Sequence, residues 1–356
     1  MRSLQDGILA CIGNTPLLRL TGVARRDIRL FAKFEGANPS GSIKDRPALE
    51  IIRDGIESGR IKEDTVVVEA TSGNMGLGLA QICRYLGLRL VCVVDNKITA
   101  QNLRLLEVYG AEIEVVTRPD PATGDLLTAR INRAKAISEA IGNAFWTNQY
   151  ANPSNARAHL RTMDEVFAAL GGEVDYLFCS ASSCGTVRGC ADYLRQNKLH
   201  RTKVYVADSP GSVIFGGNSG PRMIPGHGAG RRPELYEDYV ADRSIRVTDE
   251  ECVMGCKALL SKEALLVGGS SGGIMMAVNK VAEEIAPRAT CVMLLPDRGE
   301  RYLDTIFSDE WVVGLQRIAQ EREQLDRPRV AMQPPVSQRR QEQRDPGLSN
   351  GQGDRI

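Results

Sequence analysis

The chain has 356 residues, in which 45 lysines and arginines nearly balance 44 aspartates and glutamates. This balance provides no net field to hold nucleic acid or an anionic membrane, so we expect neither partner and place any anionic ligand at a local site. The length exceeds the ~250–300 residues at which single cores stop growing, which favours two domains. No apolar run reaches the ~18 residues of a membrane span, and no signal-type segment is found, so we expect a cytoplasmic protein.

The cysteines indicate a reducing compartment rather than a disulfide framework. They are nine, an odd number, scattered without a CxxC pair and mostly inside apolar runs. Such residues are typical of a reduced core. Cys252 and Cys256 share a helix face, but no third and fourth ligands lie nearby, so the metal interpretation is the weaker one and we expect no metal.

The first candidate catalytic residue is Lys44, which follows a turn-rich loop at residues 38–43. Ser42 is a plausible N-cap, and apolar residues then recur at helical spacing from Ala48 to Ile56. A lysine in the first turn opposes the positive end of the helix dipole, which lowers an amine pKa and is unfavourable for a merely solvated cation. The alternative is a surface lysine paired with Asp45.

From residue 65 onwards, short β-branched runs alternate with helical patterns. Strands are predicted at 66–69, 88–94, 112–116, 176–179, 204–207 and 290–295, and helices at 73–86, 100–109, 126–141, 155–170, 186–196, 249–261 and 272–285. This alternation predicts an α/β fold with two parallel sheets, in which residues 44–151 form the smaller unit. Residues 211–232 are predicted to form a long ordered loop near a site. Past residue 314, Gln, Arg, Pro and Glu dominate, which predicts a disordered tail.

Three loops of small residues open predicted helices. Thr71, Ser72 and Asn74 could bind a carboxylate through hydroxyls, backbone amides and a side-chain amide, or Thr71 and Ser72 could simply cap the helix. Residues 182–186 (Ser-Ser-Cys-Gly-Thr) would suit a phosphate, but no lysine follows as in a Walker sequence, so a nucleotide is not implied. Residues 268–273 are a third such loop, for which a glycine-rich turn is the alternative.

Together the lysine and the three loops resemble the fold-type II pyridoxal 5′-phosphate (PLP) enzymes of the cysteine synthase family, which share the tryptophan synthase β-subunit fold. The match runs from residues 12–17 (Ile-Gly-Asn-Thr-Pro-Leu) through 148–150 (Asn-Gln-Tyr) to 299–303 (Gly-Glu-Arg-Tyr-Leu). The resemblance implies a large PLP-binding domain (1–43 plus 152–313), a small mobile domain (44–151) and a homodimer. The predicted tail, 314–356, lies outside the match.

The resemblance also implies roles for individual residues. Lys44 would be the catalytic Schiff-base lysine, Asn74 would contact the PLP ring hydroxyl, and Ser270 would meet the pyridine nitrogen. A neutral hydroxyl stabilises a pyridinium less than an aspartate does, which favours β-elimination and replacement over transamination. The phosphate cradle would be Ser182, Ser183, Cys184, Gly185 and Thr186. The substrate side would include Thr71, Ser72 and Gln149 for the α-carboxylate, together with Met75, Tyr150 and Arg130.

Several positions depart from plain cysteine synthases. Met75 replaces a usual threonine, the cradle is not Gly-Thr-Gly-Gly-Thr, and residues 296–298 are Pro-Asp-Arg. With residues 146–152 and 211–216, these departures resemble the N-(2-amino-2-carboxyethyl)-L-glutamate synthases. Those enzymes join O-phospho-L-serine to L-glutamate on the way to 2,3-diaminopropionate in staphyloferrin B-type siderophore assembly.

A phosphorylated donor would need hydroxyls and an arginine where an acetylated donor would not. Ser182 and Arg130 are the candidates, followed by Arg222 and Arg231, although Arg130 could equally be an exposed helix arginine. Two alternatives to this function are a cysteine synthase that uses sulfide and a non-catalytic sensor or partner-binding protein. Retention of Lys44, Asn74 and Ser270 together argues against the sensor.

Overall fold

The computed structural model describes residues 2–326 except Ala24, Ser72 and Lys97. The chain up to Gln316 forms one compact unit. The strands are β1 (Leu17–Leu20), β2 (Arg29–Phe34), β3 (Val66–Ala70), β4 (Arg89–Asp95), β5 (Glu112–Val116), β6 (Ala144–Trp146), β7 (Tyr176–Ser180), β8 (Lys203–Asp208), β9 (Arg243–Arg246) and β10 (Thr290–Leu295). The helices are α1 (Asp45–Glu57), α2 (Asn74–Leu86), α3 (Ala100–Tyr109), α4 (Leu126–Ile141), α5 (Pro153–Ala169), α6 (Gly185–Gln196), α7 (Asp249–Glu263), α8 (Gly269–Lys280) and α9 (Asp309–Asp326).

The strands form two sheets. A six-stranded sheet has the order β1-β2-β10-β7-β8-β9, and a four-stranded sheet has the order β5-β4-β3-β6. Every pairing is parallel except that of β1 with β2. Every residue of β3 and β10 is buried, as expected for strands covered by helices on both faces. The predicted α/β fold with two parallel sheets is confirmed, while strands β1, β2, β6 and β9 were not predicted.

Alternate residues of β3 pack into different layers of the core. Val67 joins the apolar cluster that contains the buried faces of α1 and α2. Val66 and Val68 join a second cluster with Ala134 of α4 on the opposite face of the sheet. Successive side chains of a strand point to opposite faces of the sheet, and both faces of β3 are buried. This explains the uninterrupted apolar run at residues 66–68.

Helices α7 and α8 pack closely through glycines. A Cβ atom at Gly272 would lie 2.0 Å from the backbone oxygen of Cys252, and one at Gly255 would lie 2.1 Å from the oxygen of Gly272. Gly272, in the segment at 268–273, is therefore required for helix packing. This gives one glycine of the segment a structural role, as the alternative of a glycine-rich turn proposed. Helix α8 also begins at Gly269, three residues earlier than predicted.

Two expectations about chain ends and helix ends need correction. Helix α1 has Lys44 at its N-cap rather than Ser42, whose hydroxyl instead accepts from the Lys44 backbone N–H at 3.2 Å. Helix α9 continues past residue 314, where disorder was predicted, and Leu315 is a buried member of the core. The rest of the predicted tail, 327–356, lies outside the described residues. None of the helices in the described part is long and apolar enough to cross a membrane.

Candidate active site

A cavity of about 320 Å³ lies where the carboxyl ends of strands from both sheets meet. Thr71 follows β3, Gln149 follows β6, and Asp297 follows β10, and all three line it. This location follows the rule that ligands of parallel sheets bind beyond the carboxyl ends of the strands. The predicted site residues that line it are Lys44, Thr71, Asn74, Met75, Arg130, Gln149, Tyr150, Ser182, Ser183, Cys184, Thr186 and Ser270. Gly185 adjoins this lining in the chain, and Ser72 lies outside the described residues.

Lys44 enters the cavity from the loop before α1. The Ile43 backbone N–H donates to the Pro296 oxygen at 2.7 Å, which ties this loop to the segment after β10. Burial lowers the pKa of the Lys44 amine to about 8, against smaller opposing effects of Cys184 and Asp297. Asp45 does not pair with Lys44, because its carboxylate accepts from the Ser40 backbone N–H at 2.7 Å and from the Ser40 hydroxyl. The surface-lysine interpretation is therefore wrong.

The loop before α6 is shaped by Cys184 and Gly185. Cys184 is the N-cap of α6 and has a left-handed backbone with φ of 64°. A Cβ at Gly185 would lie 2.1 Å from Asn155 Oδ1, so only glycine fits there. Asn155 Nδ2 in turn donates to the Gln149 oxygen at 2.7 Å and to Ser183 Oγ at 3.2 Å. The N-terminus of α6 therefore lies at the cavity lining, and such a helix start suits a phosphate.

His159 adds no charge to this loop. Its Nε2 lies 3.2 Å from Thr186 Oγ1, and its Nδ1 lies 3.2 Å from Thr162 Oγ1. Burial lowers the pKa of His159 well below its usual value, with further lowering by Lys44 and Arg46. The imidazole is therefore neutral, and it orients the Thr186 hydroxyl rather than binding an anion itself.

Asn74, at the cavity lining, lies in a polar cluster. Its Nδ2 donates to Asp297 Oδ2 at 2.7 Å, and Arg301 donates to its Oδ1. The Tyr302 hydroxyl donates to the same Asp297 oxygen at 2.5 Å. Ser270, the second residue of α8, is buried at the cavity lining. Asp297 and Tyr302 were not predicted as site residues, although they lie in the motif that carries the resemblance.

The cavity is also lined by one charged and two polar residues that the sequence analysis missed, Asp95, Thr99 and Asn102. Asp95, the last residue of β4, pairs with Arg130 Nε at 3.1 Å, and Thr99 and Asn102 belong to the following turn and helix. The Arg130 side chain is only 11% exposed, so the exposed-arginine interpretation is wrong. The position of Asp95 at the end of a buried parallel strand is a signal that could have found it.

Thr71 and Gln149, both predicted to bind the substrate carboxylate, also make hydrogen bonds within the protein. Helix α2 has Gly73 as its N-cap, and Thr71 Oγ1 accepts from the Gly73 backbone N–H at 3.3 Å, so Thr71 is not the cap. Gln149 Nε2 donates to Glu69 Oε1 at 3.2 Å, and Glu69 is fully buried. The two further arginine candidates for the donor phosphate, Arg222 and Arg231, are not among the residues that line the cavity. Arg222 donates to the Gly220 oxygen at 2.9 Å, and Arg231 pairs with Glu234 at 3.6 Å.

A model of the pyridoxal-phosphate dependent enzyme family matches residues 8–297. The chain belongs to this family. An N-(2-amino-2-carboxyethyl)-L-glutamate synthase from Ralstonia nicotianae is 44% identical over 314 residues, covering 88% of this chain and 92% of the relative. A hydrogen sulfide-producing enzyme from Fusobacterium nucleatum superposes with a TM-score of 0.78 at 30% identity, covering 84% of this chain and 99% of its own. An O-acetylserine dependent cystathionine beta-synthase from Helicobacter pylori gives a TM-score of 0.78 at 28% identity, covering 84% and 97%.

These similarities confirm a PLP-dependent enzyme of the cysteine synthase type and its cofactor. The residues present fit that cofactor, because a buried amine of lowered pKa and a glycine-dependent anion loop line one cavity. Asp297 Oδ1, buried without a hydrogen-bond partner among the described residues, is a further polar group at this wall. In the described part of the chain, no cluster of three His, Cys, Asp or Glu could hold a metal ion. The roles of individual site residues and the division into two domains stay predictions.

Proposed function

We propose that the chain joins O-phospho-L-serine and L-glutamate by β-replacement, giving N-(2-amino-2-carboxyethyl)-L-glutamate and phosphate. The observation that carries this proposal is the 44% identity to the Ralstonia nicotianae synthase over nearly the full length of both chains. We place the product on a route to 2,3-diaminopropionate in siderophore or related secondary-metabolite biosynthesis. We also propose a cytoplasmic homodimer, with residues 44–151 as a small mobile domain against 1–43 and 152–313.

Lys44 would hold the cofactor and act as the acid-base group. Bound PLP withdraws electrons from the amino acid, which acidifies the α-proton and permits loss of a leaving group from Cβ. With a pKa of about 8, the Lys44 amine is available in its neutral form near pH 8, where it can remove the α-proton and later return it to Cα. Burial thus supplies the base at a pH where an exposed lysine would be almost fully protonated.

The α-carboxylate of the first substrate would bind beside the N-terminus of α2. Thr71 and Gln149 line the cavity there and would donate through a hydroxyl and a carboxamide, and the helix N-terminus favours an anion. Ser72, which the resemblance assigns to the same role, lies outside the described residues. Holding the carboxylate at this point would orient the Cα proton toward Lys44. Ser270 would face the pyridine nitrogen with a neutral hydroxyl, which keeps the chemistry directed at Cβ.

The leaving phosphate would be received by Arg130, Ser182 and Tyr150. All three line the cavity, and Arg130 is oriented by its ion pair with Asp95. Burial raises the pKa of Tyr150 to about 12, so its hydroxyl keeps its proton and can donate to an anion. A phosphate carries charge that an acetyl ester lacks, so this set of donors favours the phosphorylated substrate.

The test is to incubate the PLP-loaded protein with O-phosphoserine and glutamate, O-phosphoserine and sulfide, or O-acetylserine and sulfide, and to identify products by mass. Formation of N-(2-amino-2-carboxyethyl)-L-glutamate in the first mixture alone supports the proposal. Cysteine as the main product would instead establish a cysteine synthase. Absence of product in all three mixtures would favour the hypothesis of a non-catalytic sensor or partner-binding protein.

The matched control is Lys44→Ala. We expect it to keep the parental circular dichroism spectrum and to lose turnover, because one side chain supplies both the covalent link and the base. Appreciable turnover by this variant without added amine would contradict the assigned role of Lys44.

A further inference from the structure

The carboxamide of Asn74 is held in one orientation by two oppositely charged neighbours. Its Nδ2 donates to the carboxylate of Asp297 at 2.7 Å, and its Oδ1 accepts from the guanidinium of Arg301. A flipped amide would direct its oxygen at the carboxylate and its N–H groups at the guanidinium, and both contacts would be repulsive. Nδ2 carries a second hydrogen, and Asn74 lines the cavity.

Asp297 is itself fixed from several sides. The Tyr302 hydroxyl donates to the Oδ2 that Asn74 also contacts. The Asp297 backbone oxygen accepts from the Gly268 N–H at 3.1 Å. The backbone of Asp297 also pairs with that of Ser42 in an isolated antiparallel bridge. A side chain anchored in this way can impose its orientation on Asn74 instead of adapting to it.

The second carboxylate oxygen of Asp297, Oδ1, is buried without a hydrogen-bond partner among the described residues. The residue is 2% exposed and lines the same cavity as Lys44. A buried polar atom without a partner costs free energy, so its retention beside a ligand cavity needs a role there.

We propose that Asp297 is a positioning residue of the cofactor site, which keeps one N–H of Asn74 directed at the cofactor's ring oxygen and places a negative charge beside the Lys44 nitrogen. The charged groups facing it are Lys44 and Arg301, with the hydroxyl of Tyr302 and the thiol of Cys256 also near. Burial raises the pKa of Asp297, whereas Tyr302, Asn74, Arg301 and Lys44 all act to lower it. The proposal rests on the roles assigned above to Lys44 and Asn74, but not on the identity of either substrate.

The experiment reconstitutes the apoprotein with PLP alone and measures the cofactor's dissociation constant and the pH midpoint of its bound visible absorbance. Asp297→Asn removes the charge and weakens one of the two contacts that orient the Asn74 amide, while the contact with Arg301 remains. We expect the dissociation constant to rise roughly 10-fold, the equivalent of one charge-assisted hydrogen bond. The midpoint should move to lower pH, because a negative charge that stabilises the protonated Lys44 nitrogen is lost.

Two further variants make the result decisive. Tyr302→Phe keeps the Asp297 charge but removes one donor, so it should shift both readouts in the same direction by less. Asp304→Asn, an exposed aspartate of the same segment, should change neither. Parental values for both readouts in Asp297→Asn overturn the proposal. Should that variant fail to fold by circular dichroism, parental values in Tyr302→Phe overturn it instead.

The two proposals fail in different ways. Both readouts use the cofactor without any amino acid, so a chain that rejects O-phosphoserine or glutamate would leave the Asp297 result unchanged. Conversely, a product assay that succeeds while Asp297→Asn binds PLP normally would retain the proposed function and remove only the positioning role.

Discussion

Arg130 is the side chain on which donor selection should depend. It is nearly buried, lines the cavity and is oriented by Asp95. Arg130→Ala should raise the apparent KM for O-phosphoserine and lower kcat/KM by roughly 10–100-fold, the size of one charge-assisted contact of ~1.5–3 kcal/mol. Steady-state kinetics with O-phosphoserine and O-acetylserine, each paired with the same nucleophile, measure the effect, which should be absent for O-acetylserine.

Arg133→Ala is the matched control for this variant. Arg133 lies on the same helix, is 49% exposed and pairs with Glu114 away from the cavity lining. The Arg133→Ala variant should leave kcat/KM for both donors unchanged. Neither variant should alter the visible absorbance of the bound cofactor. Unaltered kinetics in Arg130→Ala would place the phosphate contact elsewhere, and equal parental kinetics for the two donors would refute donor selection.

Glu69 makes stability depend on pH. Burial raises its pKa from an ordinary value of 4.5 to about 7, although Thr147 and Gln149 donate hydrogen bonds that oppose the shift. A raised folded-state pKa means that this group's contribution is fully present below about pH 4.5 and is lost as the pH rises through 7. At ~1.4 kcal/mol per pKa unit, the shift from 4.5 to about 7 corresponds to a loss of about 3 kcal/mol of unfolding free energy.

The variant Glu69→Gln cannot ionise, so it should remove this component. We expect the free energy of unfolding of the parent to fall more steeply between pH 5 and pH 8 than that of the variant, whatever the offset caused by its altered hydrogen bonds. Urea denaturation across that range measures both slopes. Identical slopes would show that Glu69 does not titrate there.

The first part of helix α9 packs onto the core, with Leu315 buried in the apolar cluster and Trp311 and Val312 partly buried against it. Val313, by contrast, is 53% exposed. Leu315→Ala should therefore cost about 2–3 kcal/mol of unfolding free energy, and Val313→Ala should cost less than about 0.5 kcal/mol. Denaturant unfolding of both variants provides the measurement, and equal costs would mean that α9 does not dock through Leu315.

Truncation separates this helix from the remaining tail. Ending the chain after Gly314 removes Leu315 and should lower the melting temperature, while ending it after Asp326 should leave activity and stability nearly unchanged. The second outcome is a prediction from composition, since residues 327–356 lie outside the described part. A large loss of PLP binding on removing only those residues would show that the tail docks.

The elements that the sequence predicted well are the ones with a strong period or a continuous apolar run. Strands β3 and β10 are buried on both faces, and α3, α4 and β5 begin and end where periodicity placed them. Strand β2 is largely apolar, but Arg29 and Lys33 interrupt its pattern. Strand β9 has one apolar residue among four, and β6 has only three residues, so their patterns carry little signal. Pairing with neighbouring strands stabilises them, and that information is not local.

The same distinction applies to the cavity. Lys44 and the loops at 71–74 and 182–186 are identifiable because turn residues precede helices. Asp95 could have been found as the polar residue that ends a buried strand, but Asn102 could not, because only the sheet order places β4 and the helix after it beside β3. Arg130 was predicted, but its burial and its ion pair with Asp95 arise only in the folded chain, so the sequence alone could not decide between a ligand and an exposed helix residue.

Across the whole molecule, a buried ion cluster joins the six-stranded sheet to helices α1 and α5. Arg46 of α1 contacts Glu35, which follows β2, at 2.7 Å and Glu165 of α5 at 2.7 Å. Lys33 of β2 contacts the same oxygen of Glu165 at 2.7 Å. Hydrogen bonds to Arg46 and Lys33 hold the pKa of Glu165 at about 2, despite opposing desolvation. The cluster begins two residues after Lys44, so it also fixes the helix that presents the catalytic amine.

Arg46→Met should destabilise the fold by about 3–5 kcal/mol, because it leaves the fully buried Glu35 carboxylate without its ion partner. Arg157→Met is the matched control: Arg157 also links α5 to α1, through Glu50 and Asp54, but it is 46% exposed and should cost below about 1 kcal/mol. Denaturant unfolding at pH 7 compares the two variants. The Arg46→Met apoprotein should also bind PLP more weakly than Arg157→Met, because α1 positions Lys44. A loss of stability no larger than that of the control would show that the cluster is not what joins the sheet to these helices.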